Sequence, residues 1–206
     1  MIRLRQAAEF GLAGILATSL LACGATQGGS GASPTAAQSA AGGSPRPSFV
    51  TFGEGTKIVG TDVRAGTYRT RHDREGCYFA RLKGFSGGLD DIIANENSDG
   101  PVVVTIAKTD KGFDSTRCDT WTSDLSQITT SKTSFGQGDF IVGTDFTPGT
   151  YRSAPSEGCY WARLKGFGHT LNEIAANGNT NSGAVVTIKS TDKGFESARC
   201  ETWKKI

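Results

Sequence analysis

Nucleophilic, redox or metal chemistry in this chain would have to come from five cysteines and two histidines, and acid–base chemistry from 20 carboxylates. Four of the cysteines fall into two pairs of equal spacing, Cys77 with Cys118 and Cys159 with Cys200, 41 residues apart in each. Two thiolates without a nearby histidine are too few ligands for structural zinc, so the metal reading is the weaker competitor of a disulfide. A Ser–His–Asp or Cys–His site needs an imidazole. His72 and His169 lie in unlike surroundings and read as loop residues on the surface, a histidine site at one of them being the alternative. Asp90-Asp91 and Glu96-Asn97-Ser98-Asp99-Gly100 are rich in oxygen ligands but lack the spacing of an EF-hand. No residue set points to a catalytic role, a metal or a cofactor, and the expectation is a protein that is not an enzyme.

The elements that would hold these residues are written twice. One module runs over 51–122 and a second over 134–206, with 123–133 between them as a linker. Phe52 matches Phe135, and Ile58-Val59-Gly60-Thr61-Asp62 matches Ile141-Val142-Gly143-Thr144-Asp145. Gly66-Thr67-Tyr68-Arg69 matches Gly149-Thr150-Tyr151-Arg152, and the strings from Ala80 to Phe85 and from Ala162 to Phe167 are identical. Trp121 matches Trp203. The histidines break the pattern: His72 falls opposite Pro155, and His169 opposite Gly87. Glu96 falls opposite Gly178 and Asp99 opposite Asn181, which argues against a calcium site common to both halves.

The local signals are β. Lys57–Gly60 and Gly66–Thr70 are short β-prone runs bounded by turn residues. Cys77 to Leu82 alternates, with Cys77, Phe79 and Arg81 on one face. Val102 to Ile106 is a β-branched run suited to a buried strand. Leu89, Ile92 and Ile93 fit one or two helical turns. Each module should hold about five short strands, with one short helix as an option, in a mainly β sandwich or roll. Asp62, Asp110 and their counterparts Asp145 and Asp192 read as turn residues that cap backbone amides. Arg81, on the Cys77–Phe79 face, must be either exposed or buried against an acid such as Glu75.

The N-terminal part is of another kind. Residues 1–22 carry Arg3 and Arg5 followed by an uncharged apolar stretch from Gly11 to Ala22. That stretch suits a signal peptide and is too short for a membrane span. It ends in Leu20-Leu21-Ala22-Cys23, which resembles a bacterial lipobox. The resemblance implies cleavage before Cys23 and acylation of its sulfur. Two acyl chains suffice for stable attachment to a cell membrane on its extracytoplasmic face. Residues 23–50 are Gly, Ser, Ala and Pro with scarcely a large apolar side chain before Phe49, a composition that favours a disordered tether. Removing Cys23 from the count leaves four cysteines. They allow three pairings, of which the repeat favours Cys77–Cys118 and Cys159–Cys200 in an oxidising compartment.

The strings VGTD, PGTYR, GCYWARLKGF and TDKGF with a late Cys-x-x-Trp resemble a recurrent module of secreted proteins and lipoproteins in Gram-positive, high-GC bacteria. The resemblance implies surface location and modular β architecture, and brings no catalytic residue with it. The binding candidates are the recurring rings and bases. Trp121 and Trp203 sit near the module ends, and Arg81, Arg163, Lys83 and Lys165 are among the bases that recur with the rings. An exposed ring with a cation can hold a sugar or an anionic wall polymer; the competing reading places the rings in the core. A net charge of +2 gives no basic excess for nucleic acid. The expected partners are the membrane, through Cys23, and a cell-wall polymer or another envelope protein. A structural spacer without a ligand is the alternative, and an envelope enzyme the weaker one.

Overall fold

The computed structural model describes residues 48–72 and 74–206. The expected signal peptide over 1–22, the expected acylation at Cys23 and most of the expected tether over 23–50 lie outside the described residues. Among those described, no helix is long and apolar enough to cross a membrane.

Module 1 holds β1 (Thr51–Phe52), β2 (Lys57–Ile58), β3 (Gly66–Arg69), β4 (Cys77–Leu82), β5 (Ile92–Ser98), β6 (Val103–Ile106), β7 (Gly112–Thr116) and β8 (Trp121–Thr122). Module 2 repeats them as β9 (Ser134–Phe135), β10 (Gly138–Ile141), β11 (Gly149–Ser153), β12 (Cys159–Leu164), β13 (Ile174–Thr180), β14 (Ala184–Ile188), β15 (Gly194–Ala198) and β16 (Trp203–Lys205). Each module is a pair of antiparallel four-stranded sheets. In module 1 the orders are β1-β8-β3-β6 and β2-β7-β4-β5; in module 2 they are β9-β16-β11-β14 and β10-β15-β12-β13. Eight strands replace the expected five, because several are only two residues long and leave no periodic trace. The expected helix shrinks to a single 3-10 turn at Leu89–Asp91 and another at Leu171–Glu173. Ile92 and Ile93, assigned to it by spacing, begin β5 instead.

The two sheets of a module close on an aromatic core. In module 1 Trp121, Phe79, Phe113 and Tyr68 pack with Val104 and Ile106. In module 2 Trp203, Phe195 and Tyr151 take the places of Trp121, Phe113 and Tyr68, with Trp161 in the place of Phe79 and Phe135 in that of Phe52. The disulfides Cys77–Cys118 and Cys159–Cys200 join each cluster, as the repeat predicts. Each ties the start of one strand to the loop after another and closes a loop of 41 residues. In the chain-entropy account that closure is worth about 4 kcal/mol.

Arg81 is buried, against Asp110 and not Glu75. The β4–β7 ladder runs on regularly through Arg81 and Leu82, and the arginine reaches the turn after β6, where Asp110 also accepts the Ala107 amide. Its Nε and Nη2 donate to the two Asp110 oxygens at 2.8 and 2.9 Å. Arg163 and Asp192 repeat the pair at 2.7 and 2.9 Å. Asp62 accepts the Ile58 amide, and Asp145 the Ile141 amide, as turn residues should.

Linker 123–133 is laced to both modules. Ser123 exchanges two hydrogen bonds with Val50, Arg71 pairs with Asp124, Ile128 donates to Asp145, and Lys132 accepts from the Thr147 amide.

Candidate functional site

Charged side chains meet where the modules touch. The outer face of the β3–β6 pair in module 1 lies against β10, β12 and the loop after β12 in module 2. Val103 is fully buried there against Ala162, Leu164 and Phe167, with Ile141 and Tyr160 beside them. Backbone groups join across the seam: the Thr105 amide donates to the Phe167 carbonyl at 2.7 Å, and the Asp139 amide to the Pro101 carbonyl at 2.7 Å. Gly100 allows this closeness, since a Cβ there would meet the Gln137 carbonyl oxygen at 2.2 Å.

Two ionic clusters lie in the seam. In the first, Arg69 grips Asp145 through two bonds of 3.1 and 3.2 Å, with both side chains fully buried. Arg69 also donates to the Ser126 carbonyl, leaving Nε without a partner. The second cluster is built on His169. Its Nδ1 lies 2.8 Å from Glu96 Oε2, close but poorly aligned for a hydrogen bond. Its Nε2 donates to the Val103 carbonyl at 2.8 Å and lies 3.5 Å from Asp139 Oδ2. Asp139 Oδ2 accepts the Val103 amide, and its Oδ1 has no partner. The His169 backbone is left-handed, with φ of +55°, where Gly87 has +79°. Glycine enters this region freely, whereas a histidine there is held by its contacts.

Burial and neighbouring charge shift three groups of this cluster, His169, Glu196 and Asp139, upward. Burial opposes the His169 imidazolium, but the carboxylates of Glu96 and Asp139 outweigh it and lift the group to about 10. Burial, then the Glu96 charge, pushes Glu196 up to about 7. Burial raises Asp139 well above the carboxylate range, again with help from Glu96. Asp139 and Glu196 are thus both biased toward their neutral forms beside one imidazolium.

Glu96, Asp139 and His169 have the residue types of a metal centre, with ligand atoms within 4.8 Å of one another. Their orientation suits an ion-pair clasp better. The carboxylates face opposite nitrogens of one ring, and the ring's Nε2 is already bonded to a carbonyl. The neighbouring cleft is about 160 Å³, below the 300–1,000 Å³ usual for small-molecule sites.

His169 is thus buried and not a surface loop residue. Neither it nor Glu96, Asp139 and Glu196 stood out as a group in the sequence. Their signal lies in the mismatches between the copies, because module 1 or 2 has Gly87, Gly178, Thr56 and Asp114 at those places.

The tryptophan candidates are corrected too. Trp121 and Trp203 are fully buried, and their indole N–H groups donate to Ser115 and Ser197. Neither ring is offered to a ligand, because a module this small needs its largest side chains in the core. Arg81 and Arg163 are committed to their aspartates, and Arg81 also donates across the seam to the Gly168 carbonyl at 2.6 Å. Lys83 and Lys165 remain exposed.

Module 1 keeps open the face that module 2 has covered. Tyr78, Ala80, Leu82, Phe85 and Leu89 line a groove of about 300 Å³. Phe85 is 55% exposed where Phe167 is 8% exposed.

The Rv1352-like extracellular domain family matches residues 50–122 and again 132–204. No curated protein and no solved structure is similar to the chain. The two matches cover both disulfide-bonded sandwiches and place them outside the cytoplasm. The chain belongs to the Rv1352-like extracellular domain family, as a tandem pair of its modules.

Proposed function

We propose that the protein is a lipid-anchored envelope protein, held through Cys23 on the outer face of the cell membrane, whose fused modules act as a non-catalytic protein-interaction unit. The observation that carries this reading is the open groove of module 1. In module 2 the same side chains receive a strand edge, with Val103 seated against Phe167 and a backbone bond from Thr105. A groove of this kind is adapted to a protein edge and its apolar side chain. Phe85 and Leu89 are exposed large apolar residues that line this one groove, and such patches mark interaction sites. A wall polymer stacked on Trp121 and Trp203 loses its support, because both of these rings are buried.

The test is a photo-reactive residue placed at Phe85 in the full-length protein in intact cells, with the same residue at exposed Glu157 as control. Adducts with protein from position 85 and not from 157 are expected. Adducts with wall polymer alone, or none at either position, would end this reading. Cys23→Ala should release the protein from the membrane fraction; retention there would remove the anchor from the proposal.

A further inference from the structure

The seam joins two unlike surfaces, and the repeat supplies each surface twice. The inserting surface of module 1 is the outer face of β3 and β6. Arg69 and Val103 are direct partners across that ladder and so share a face. The receiving surface of module 2 is formed by Ile141, Tyr160, Leu164 and Phe167, with Asp145 taking the arginine. One inserting surface and one receiving surface are used up inside the chain. One of each is left over.

The unused inserting surface is on module 2. Arg152 and Val185 are direct partners across β11 and β14, and both are exposed, Val185 at 56% where Val103 is at 0%. β14 is an edge strand. The unused receiving surface is the module 1 groove, with Ile58, Tyr78, Leu82 and Phe85 in the places of Ile141, Tyr160, Leu164 and Phe167. Asp62 stands exposed in the place of Asp145. Every one of these residues is identical to its counterpart at the seam.

We infer that the protein associates with further copies of itself head to tail, the β14 face of one chain docking into the module 1 groove of the next. This rests on the reading of the groove as a site for a protein strand edge. In the contact Val185 takes the seat beside Phe85, Arg152 meets Asp62, and the Thr187 amide meets the Phe85 carbonyl. The charges agree: Arg152 and its ladder partner Lys204 lie on the inserting face. Asp91 and Asp114 line the groove, and Asp62 holds by the repeat the place that Asp145 has at the seam. Arg163 uses Nε and Nη2 on Asp192, and its remaining Nη1 faces the role that Arg81 Nη1 plays at the seam.

The contact between chains is not a copy of the seam in every part. Gly178, Thr56 and Gly87 replace Glu96, Asp139 and His169, so it buries no histidine cluster. Ser182 stands in the place of Gly100, whose Cβ position lies 2.2 Å from a backbone oxygen. That end must open, and the contact is weaker than the seam. Because its two surfaces differ, it leaves a free surface of each kind after every addition and builds open chains or rings.

The test uses the lipidated full-length protein in detergent micelles, with two tags. The wild type is expected to form species larger than a dimer as concentration rises. Val185→Asp spoils the inserting face and Phe85→Asp the groove; each alone should be monomeric. Mixed together they should form a dimer and nothing larger, since one intact pair of surfaces remains. Ile58→Glu serves as a second groove variant, and intact disulfides with an unchanged near-ultraviolet spectrum show that each variant is folded. A monomeric wild type, or folded variants that associate as the wild type does, would overturn the inference. A mixture no more associated than its parts would overturn it as well. Adducts from position 85 with another envelope protein and none with a second copy would overturn self-association yet leave the groove as a protein site. No protein adduct at all would remove both.

Discussion

Arg69 and Asp145 belong to different modules, yet both are sealed from solvent and form one salt bridge across the seam. Their counterparts, Arg152 and Asp62, are exposed. The same two residue types therefore do different work in the two halves, and the halves can serve as controls for each other. Arg69→Ala leaves the Asp145 charge buried without its guanidinium, a change that costs about 3–5 kcal/mol. Arg152→Ala, at the surface, should stay within about 0.5 kcal/mol of the parent. Urea unfolding of the two variants measures the gap, and equal midpoints would show that the pair does not hold the seam.

The seam should weaken as pH rises. Glu196 is raised in the folded protein to about 7, so folding takes up a proton between its ordinary value and that point. His169 is raised to about 10, so its contribution is complete below its unfolded value and is lost as pH climbs through about 10. Both slopes have the same sign. Thermal midpoints should fall from about pH 5 to pH 9. Glu196→Gln should flatten the part below about pH 7, and His169→Asn the part above it. Parallel profiles for parent and variants would place the pH dependence elsewhere.

Each disulfide should matter alone. Cys77→Ala with Cys118→Ala, or Cys159→Ala with Cys200→Ala, is expected to cost about 2–5 kcal/mol. The pairs can be compared by unfolding at one temperature. No loss in either double variant would mean that the aromatic cores suffice unaided.

The tryptophans should behave as core residues. Trp203→Ala removes a fully buried ring that packs edge-on to Phe195 and donates to Ser197. A loss of about 3–5 kcal/mol is expected. A folded, equally stable Trp203→Ala variant would return the ring to the list of surface candidates.

What the sequence revealed follows from what duplication copies. The cysteine pairing, the module limits, the turn aspartates and the long strands recur at fixed spacing, so one copy vouched for the other. Strands such as Thr51–Phe52 and Trp121–Thr122 are too short to show a period, and Trp121 reads as marginal because polar residues surround it in sequence. The seam was illegible for the opposite reason. A comparison that keeps what the copies share discards Glu96, Asp139 and His169, which matter because they differ from Gly178, Thr56 and Gly87. Val103 and Val185 defeat sequence reasoning altogether: the residues are identical, and only docking decides that one is buried.

The way the chain enters module 1 has a mechanical consequence. A pull on the N-terminal end is taken first by the Val50–Ser123 bonds and then by the two ladder pairs of β1 with β8. The next covalent stop is Cys77, whose bridge to Cys118, 41 positions on, withholds the chain between them from extension. At about 3.4 Å per residue, each bridged loop withholds ~140 Å of contour length. Under tension the protein should yield by short steps at its entry strand and then stiffen, so that a load unseats Phe52 long before it can unravel either module.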